Sequence, residues 1–91
     1  MKNSMGSANI ETVYRVVKDK VEALEFSIRE KTEYTDVPLK DLHMKENHLI
    51  ACIVRGHEII IPGGNDVMKE NDSVIIICKG KSMKKLEDMF V

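Results

Sequence analysis

The sequence predicts an α+β fold: a small, mainly antiparallel sheet with a short helix after the first strands and a C-terminal helix. Three observations carry that expectation. Apolar and polar residues alternate over Val21–Ile28, the period-two signature of a strand with one buried and one wet face. Two runs of branched residues, Leu49–Val54 and Val74–Cys78, stand between tight turn signals. Met83, Leu86 and Phe90 then line one helical face behind Ser82, whose hydroxyl can accept from the free N–H groups of a first turn.

Taken in order, residues 1–9 are small and polar without periodicity and read as a flexible linker or cloning remnant, leaving 10–91 as one domain. Val13–Val17 and Val21–Ile28 form two strands around the turn Lys18-Asp19-Lys20. A charged loop follows. Pro38 then suits the start of a short helix, because its missing N–H is one that a first turn leaves unused. Leu39 and Leu42 give that helix an apolar stripe ending near Met44, and Lys45-Glu46-Asn47-His48 turns the chain. Leu49–Val54 is apolar at every position, which predicts a strand buried on both faces. Gly56 permits the positive φ of a tight hairpin into Ile59-Ile60-Ile61, and Pro62-Gly63-Gly64-Asn65-Asp66 is a turn. Val67-Met68 makes a brief apolar contact, Lys69-Glu70-Asn71-Asp72 turns again, and Ser73–Cys78 is the last strand.

The 14 basic residues are balanced by 15 acidic ones among 91, so the chain as a whole has no electrostatic footprint for nucleic acid and no basic block for anionic lipid. The longest apolar runs, six residues at Leu49–Val54 and five at Val74–Cys78, fall far short of a membrane span of about 20. Cys52 and Cys78 sit inside those runs, away from any C-x-x-C spacing, and read as reduced thiols acting as small buried hydrophobes in a cytoplasmic protein.

No catalytic constellation emerges, and the chain is expected not to be an enzyme. A nucleophile motif is missing, and a thiol in an apolar strand is inert because burial raises its pKa. Glu22 and Glu25, three apart on a strand, point to opposite faces and cannot flank one substrate atom. His43 and His48 read as two exposed histidines without a third ligand at metal spacing, so no metal site is expected. Gly63-Gly64 follows a strand, but G-x-G-x-x-G is absent and no helix opens behind it, which excludes a dinucleotide site of that type. One constellation remains. Arg55 and His57 flank Gly56 at a hairpin tip beside apolar strands. A planar fork of donors and an imidazole above an apolar floor suit an anionic ligand with a flat ring system. A polar tip exposed to solvent is the structural alternative.

The stretch from Leu49 through Arg55-Gly56-His57-Glu58 to Pro62, with its sequel Asn65–Ile77, resembles the core of the TrkA C-terminal (RCK C) domain family. Val21–Phe26 and Val37–Leu42 resemble that family's opening strand and short helix, and the similarity runs from about Ile10 to Phe90. The resemblance implies a cytoplasmic regulatory, ligand-sensing domain that works as a homodimer. Its implied partners are an RCK nucleotide-binding domain in the parent chain and a membrane potassium-transporter subunit. The glycine-rich half is missing here, so the chain looks like a fragment to which NAD or ATP binding does not carry over. Some members bind cyclic di-AMP in the dimer cleft, and Arg55, His57, Ile59, Ile61 and Pro62 occupy comparable places. A dimerisation module without a small ligand is the alternative within the same assembly.

Overall fold

In the computed structural model, which describes residues 8–17, 20–80 and 84–91, five strands form one antiparallel sheet. They are β1 (Ala8–Val17), β2 (Val21–Ile28), β3 (His48–Arg55), β4 (Glu58–Ile60) and β5 (Ser73–Lys79), in the spatial order β1-β2-β5-β3-β4. The antiparallel sheet is as expected; the α+β assignment is not. Among the described residues the only helical turns are two short 3-10 turns, Leu39–Asp41 and Leu86–Met89. Ser82 and Met83, the expected cap and first apolar residue of the C-terminal helix, lie outside the described residues.

Extended backbone at the ends of each turn accounts for both corrections. The Leu39 and Lys40 N–H groups, which a first turn leaves unused, donate to the Asp66 and Gly64 carbonyls of the next loop at 2.9 and 3.0 Å, and the turn stops at Leu42, which is extended with φ −92° and ψ 137°. Pro38 itself is extended, with φ −54° and ψ 137°. At the C-terminus Phe90 turns extended and bridges Met44, while Lys45 N–H donates to Met89 O and Val91 N–H to His43 O. Leu86 and Met89, three apart as a 3-10 turn requires, are both fully buried. Phe90 packs on Tyr34 with ring centroids 5.1 Å apart.

The Asp88 carboxylate accepts from the Lys84 and Lys85 N–H groups at 3.1 and 3.2 Å, holding the entry to this turn. Burial pushes its pKa up, but those two bonds and the charges of Lys85 and Lys45 outweigh burial and hold it below the usual carboxylate value. A carboxyl depressed in the folded state contributes stability above its unfolded pKa of about 3.9 and loses it as pH falls through the lower folded value. Asp88→Asn is therefore expected to melt lower than the native protein at neutral pH, with the gap closing in acid. Melting curves at both pH values check this.

The core lies on one face of the sheet. Period two places Leu24, Phe26 and Ile28 of β2 beside Val74, Ile76 and Cys78 of β5, all at or near zero exposure. In β3 the register slips between Ile50 and Cys52, which leaves Ala51 as an extra residue. That bulge lets Ile50 and Ile53, three apart, both face the core. Tyr34, Met68, Leu86 and Met89 complete the cluster, with Leu39, Leu42, Met44, Ile60 and Phe90 packed around it. The first strand begins at Ala8, two residues inside the segment expected to be a linker.

Gly56 has φ +63° at the first of the two loop positions joining β3 to β4, the positive-φ pattern of a type II′ hairpin. A Cβ there would meet nothing within 4 Å. Gly56→Ala is thus expected to cost about 1 kcal/mol through backbone conformation alone, without a clash. Urea unfolding of the two proteins measures that difference.

Candidate functional site

The β3–β4 hairpin carries all of the expected ligand residues but divides them between two faces. Because side chains alternate, Ile53 faces the core, Val54 the opposite face and Arg55 the core side again. Arg55 reaches back over the 67–72 loop. Its Nε and Nη2 donate to Asp72 Oδ1 and Oδ2 at 3.0 and 2.8 Å, and Nη2 also donates to Val67 O at 2.9 Å. The Asp72 carboxylate is 1% exposed and accepts a further bond from Lys69 N–H at 2.8 Å. The bidentate bond to Asp72 raises the Arg55 pKa beyond its already high ordinary value, against a smaller effect of burial. The Nε–Nη2 edge of the planar fork that could grip a ligand anion is therefore already engaged inside the chain.

His57 is exposed at the tip, and Ile59 and Ile61 are 69% and 77% exposed on the side away from Arg55, with Pro62 half-buried behind them. Ile59 pairs with Val54, and the same face continues across the sheet. Leu49 stands opposite Ile77 and Cys52 opposite Ile75, and Ala23 flanks Ile77 from β2. Leu49 is 58% exposed, and Cys52, Val54, Ile75 and Ile77 are only half-buried. The expectation that Leu49–Val54 is buried on both faces is corrected here. Within one chain nothing described covers this apolar strip, so its hydrophobic runs face outward as well as inward. Exposed apolar patches of this kind mark binding surfaces on soluble proteins.

The cysteines also part company. Both are reduced thiols; Cys78 is buried in the core, whereas Cys52 is half-exposed on the open face. Burial first, and the nearby Glu22 charge second, raise the Cys78 thiol pKa, so it stays protonated at neutral pH. His48 is half-buried rather than exposed, and its Nε2 lies 3.5 Å from Cys78 Sγ. The Glu46 carbonyl, which can only accept, receives a hydrogen bond from His48 Nδ1 at 2.9 Å. His43 is exposed as expected, and Glu22 and Glu25 do fall on opposite faces. Among the described residues no cluster of three or more His, Cys, Asp and Glu side chains could hold a metal ion. No described helix is long and apolar enough to cross a membrane.

The described residues form a single antiparallel sheet, cored on one face and with an exposed apolar strip on the other, the kind of surface through which domains bind partners. The chain belongs to the TrkA-C domain family, whose pattern it matches over residues 23–91. Among curated proteins it is 32% identical over 71 residues to Trk system potassium uptake protein TrkA homolog 2 of Methanosarcina mazei, covering 78% of this chain and 16% of that protein. TrkA homolog 1 of the same organism is likewise 32% identical over 71 residues, 78% of this chain and 16% of its own. The Trk system potassium uptake protein TrkA homolog of Archaeoglobus fulgidus gives the same figures, 32% over 71 residues, 78% and 16%. The chain therefore spans 16% of the length of each of these relatives.

Proposed function

We propose that the chain is a non-catalytic regulatory module of a Trk-type potassium uptake system, paired as a homodimer through its open sheet face. The observation that carries this reading is the exposed apolar strip of Leu49, Ile59 and Ile61, in a chain of the TrkA-C family. Two copies of a half-cored sheet can cover each other's apolar face and so complete a second core layer. The module acts in the cytoplasm, joined in the parent protein to an RCK nucleotide-binding domain and through it to a membrane potassium-transporter subunit. The family relationship supports those partners through the relatives' role in potassium uptake.

Ligand sensing is the finer part of the proposal. His57, Ile59, Ile61 and Pro62 lie on or beside the strip where two copies would meet, and offer an apolar floor with an imidazole at its edge for cyclic di-AMP. Arg55 belongs to this site as the residue that holds the hairpin in place. The Arg55–Asp72 pairing favours the second reading, a dimerisation module without a small ligand, because the strongest anion donor of the tip is occupied. Sedimentation and isothermal titration separate the readings. A dimer at micromolar concentration with saturable heat from cyclic di-AMP supports the first. A dimer without heat supports the second, and a monomer at that concentration defeats both.

A further inference from the structure

The sequence contains no basic run, yet the fold gathers lysines from four separate stretches at one end of the sheet. Gly80 N–H donates to Lys20 O at 2.7 Å, which sets Lys20 beside Lys79 across the β2–β5 pair. Lys79 N–H donates to Asn47 O at 2.9 Å, two residues from Lys45. The charges of Lys45 and Lys85 both act on Asp88, whose carboxylate also holds the Lys84 and Lys85 N–H groups. Lys20, Lys45, Lys79, Lys84 and Lys85 are all exposed. Among the described acidic residues of this end, only Glu46 is exposed; Glu22 is buried, and Glu87 and Asp88 are half-buried.

The far end differs in character. Glu30, Asp36, Glu58 and Glu70 are exposed there among Arg29, Lys31 and Lys69, and Lys69 is paired with Asp36 at 3.5 Å. The molecule is nearly neutral as a whole, yet among the described residues this rim sets five exposed lysines, Lys20, Lys45, Lys79, Lys84 and Lys85, beside the exposed Glu46. The chemistry of that rim narrows the partner. The exposed cations described on it are all lysines, compact and strongly hydrated charges on flexible stems. They suit diffuse attraction to a negative surface better than the planar, bidentate reading of single phosphates or carboxylates for which arginine is used. No described aromatic side chain is interleaved with them to stack a nucleobase.

We infer that this lysine rim docks the domain on an anionic lipid surface. The identity of the surface rests on the proposed role in membrane potassium uptake; the presence of the rim does not. Polybasic patches are drawn to anionic leaflets within a Debye length, so the contact is reversible and sensitive to salt.

Cosedimentation of the chain with vesicles of phosphatidylcholine alone, or with about one third phosphatidylglycerol, tests the inference. Binding is expected only to the anionic vesicles, and to weaken at least about tenfold as salt rises from about 0.05 to 0.3 M. The triple variant Lys20→Gln, Lys79→Gln, Lys84→Gln is expected to lose binding, and Lys31→Gln with Lys69→Gln to keep it. Those three lysines contribute only main-chain atoms to the hydrogen bonds above, and sedimentation of the triple variant shows whether pairing survives. Loss of vesicle binding with pairing retained therefore bears on the rim and not on the proposed dimer. Binding to neutral vesicles, no binding to anionic vesicles at low salt, or equal loss from both sets of variants overturns the inference. So does preferential binding to a short DNA duplex in the same buffer, which reassigns the rim to nucleic acid.

Discussion

Arg55→Ala is expected to lower the unfolding free energy by about 3 kcal/mol and the melting temperature by roughly 12–25 °C. The loss comes from the partner left behind. Asp72 is 1% exposed and fixed by the Lys69 N–H bond, so it cannot turn to water when the guanidinium goes. An uncompensated buried carboxylate is far more costly than the net value of the intact pair. Arg55 itself is one-third exposed, with 33% side-chain accessibility, which places the figure at the lower end for a buried pair. The pair also joins three pieces of chain. Arg55 ends β3, Val67 and Lys69 belong to the loop before β5, and the Asp72 carbonyl receives Ile28 N–H from the end of β2 at 2.8 Å. Arg55→Met combined with Asp72→Asn removes both charges and should cost clearly less than the sum of the single changes. A melting shift below about 3 °C for Arg55→Ala would sink this account. The prediction also bears on ligand binding, because a loss of cyclic di-AMP affinity in an Arg55 variant must be read against its loss of fold.

Much of the sheet could be read from residues alone, because one face of each strand obeys a simple period. Leu24, Phe26 and Ile28 alternate without interruption, and β2 runs where that alternation places it. The same period held the signal for the missed ion pair. Asp72 is in phase with Val74, Ile76 and Cys78, and Glu22 with Leu24, Phe26 and Ile28, so both carboxylates extend core faces. A charge in phase with a buried face calls for a counterion, and Arg55 is in phase with Ile53. What no local pattern marked was the bulge at Ala51. A run of six apolar residues reads as buried on both faces, yet one face lies open, and the extra residue sets Ile50 and Ile53, three apart, together on the core side. The helices failed for a different reason. Leu86 and Phe90 have helical spacing, but Phe90 is drawn into extended backbone by its antiparallel bridge to Met44, a partner far away in sequence.

Leu49→Lys together with Ile59→Lys is expected to weaken self-association at least about a hundredfold, about 2.7 kcal/mol, while leaving the monomer folded. Each change sets an ammonium into the apolar strip, and pairing would have to strip its water without offering a counter-charge. The cost to the monomer is of another order. Leu49 and Ile59 are 58% and 69% exposed, so little buried area is lost, and each change costs at most about 1 kcal/mol through strand preference. Leu49→Val keeps the strip apolar and should pair as the native chain does. Cys52 gives an independent measure, since it lies half-exposed on the same face while Cys78 is buried in the core. A thiol reagent should reach Cys52 slowly in the native pair and faster in the double lysine variant, with Cys78 protected in both until unfolding. Sedimentation equilibrium reads the first effect and mass spectrometry the second. A double variant that still pairs with native affinity would place the dimer contact elsewhere on the sheet and leave the open face without its proposed role.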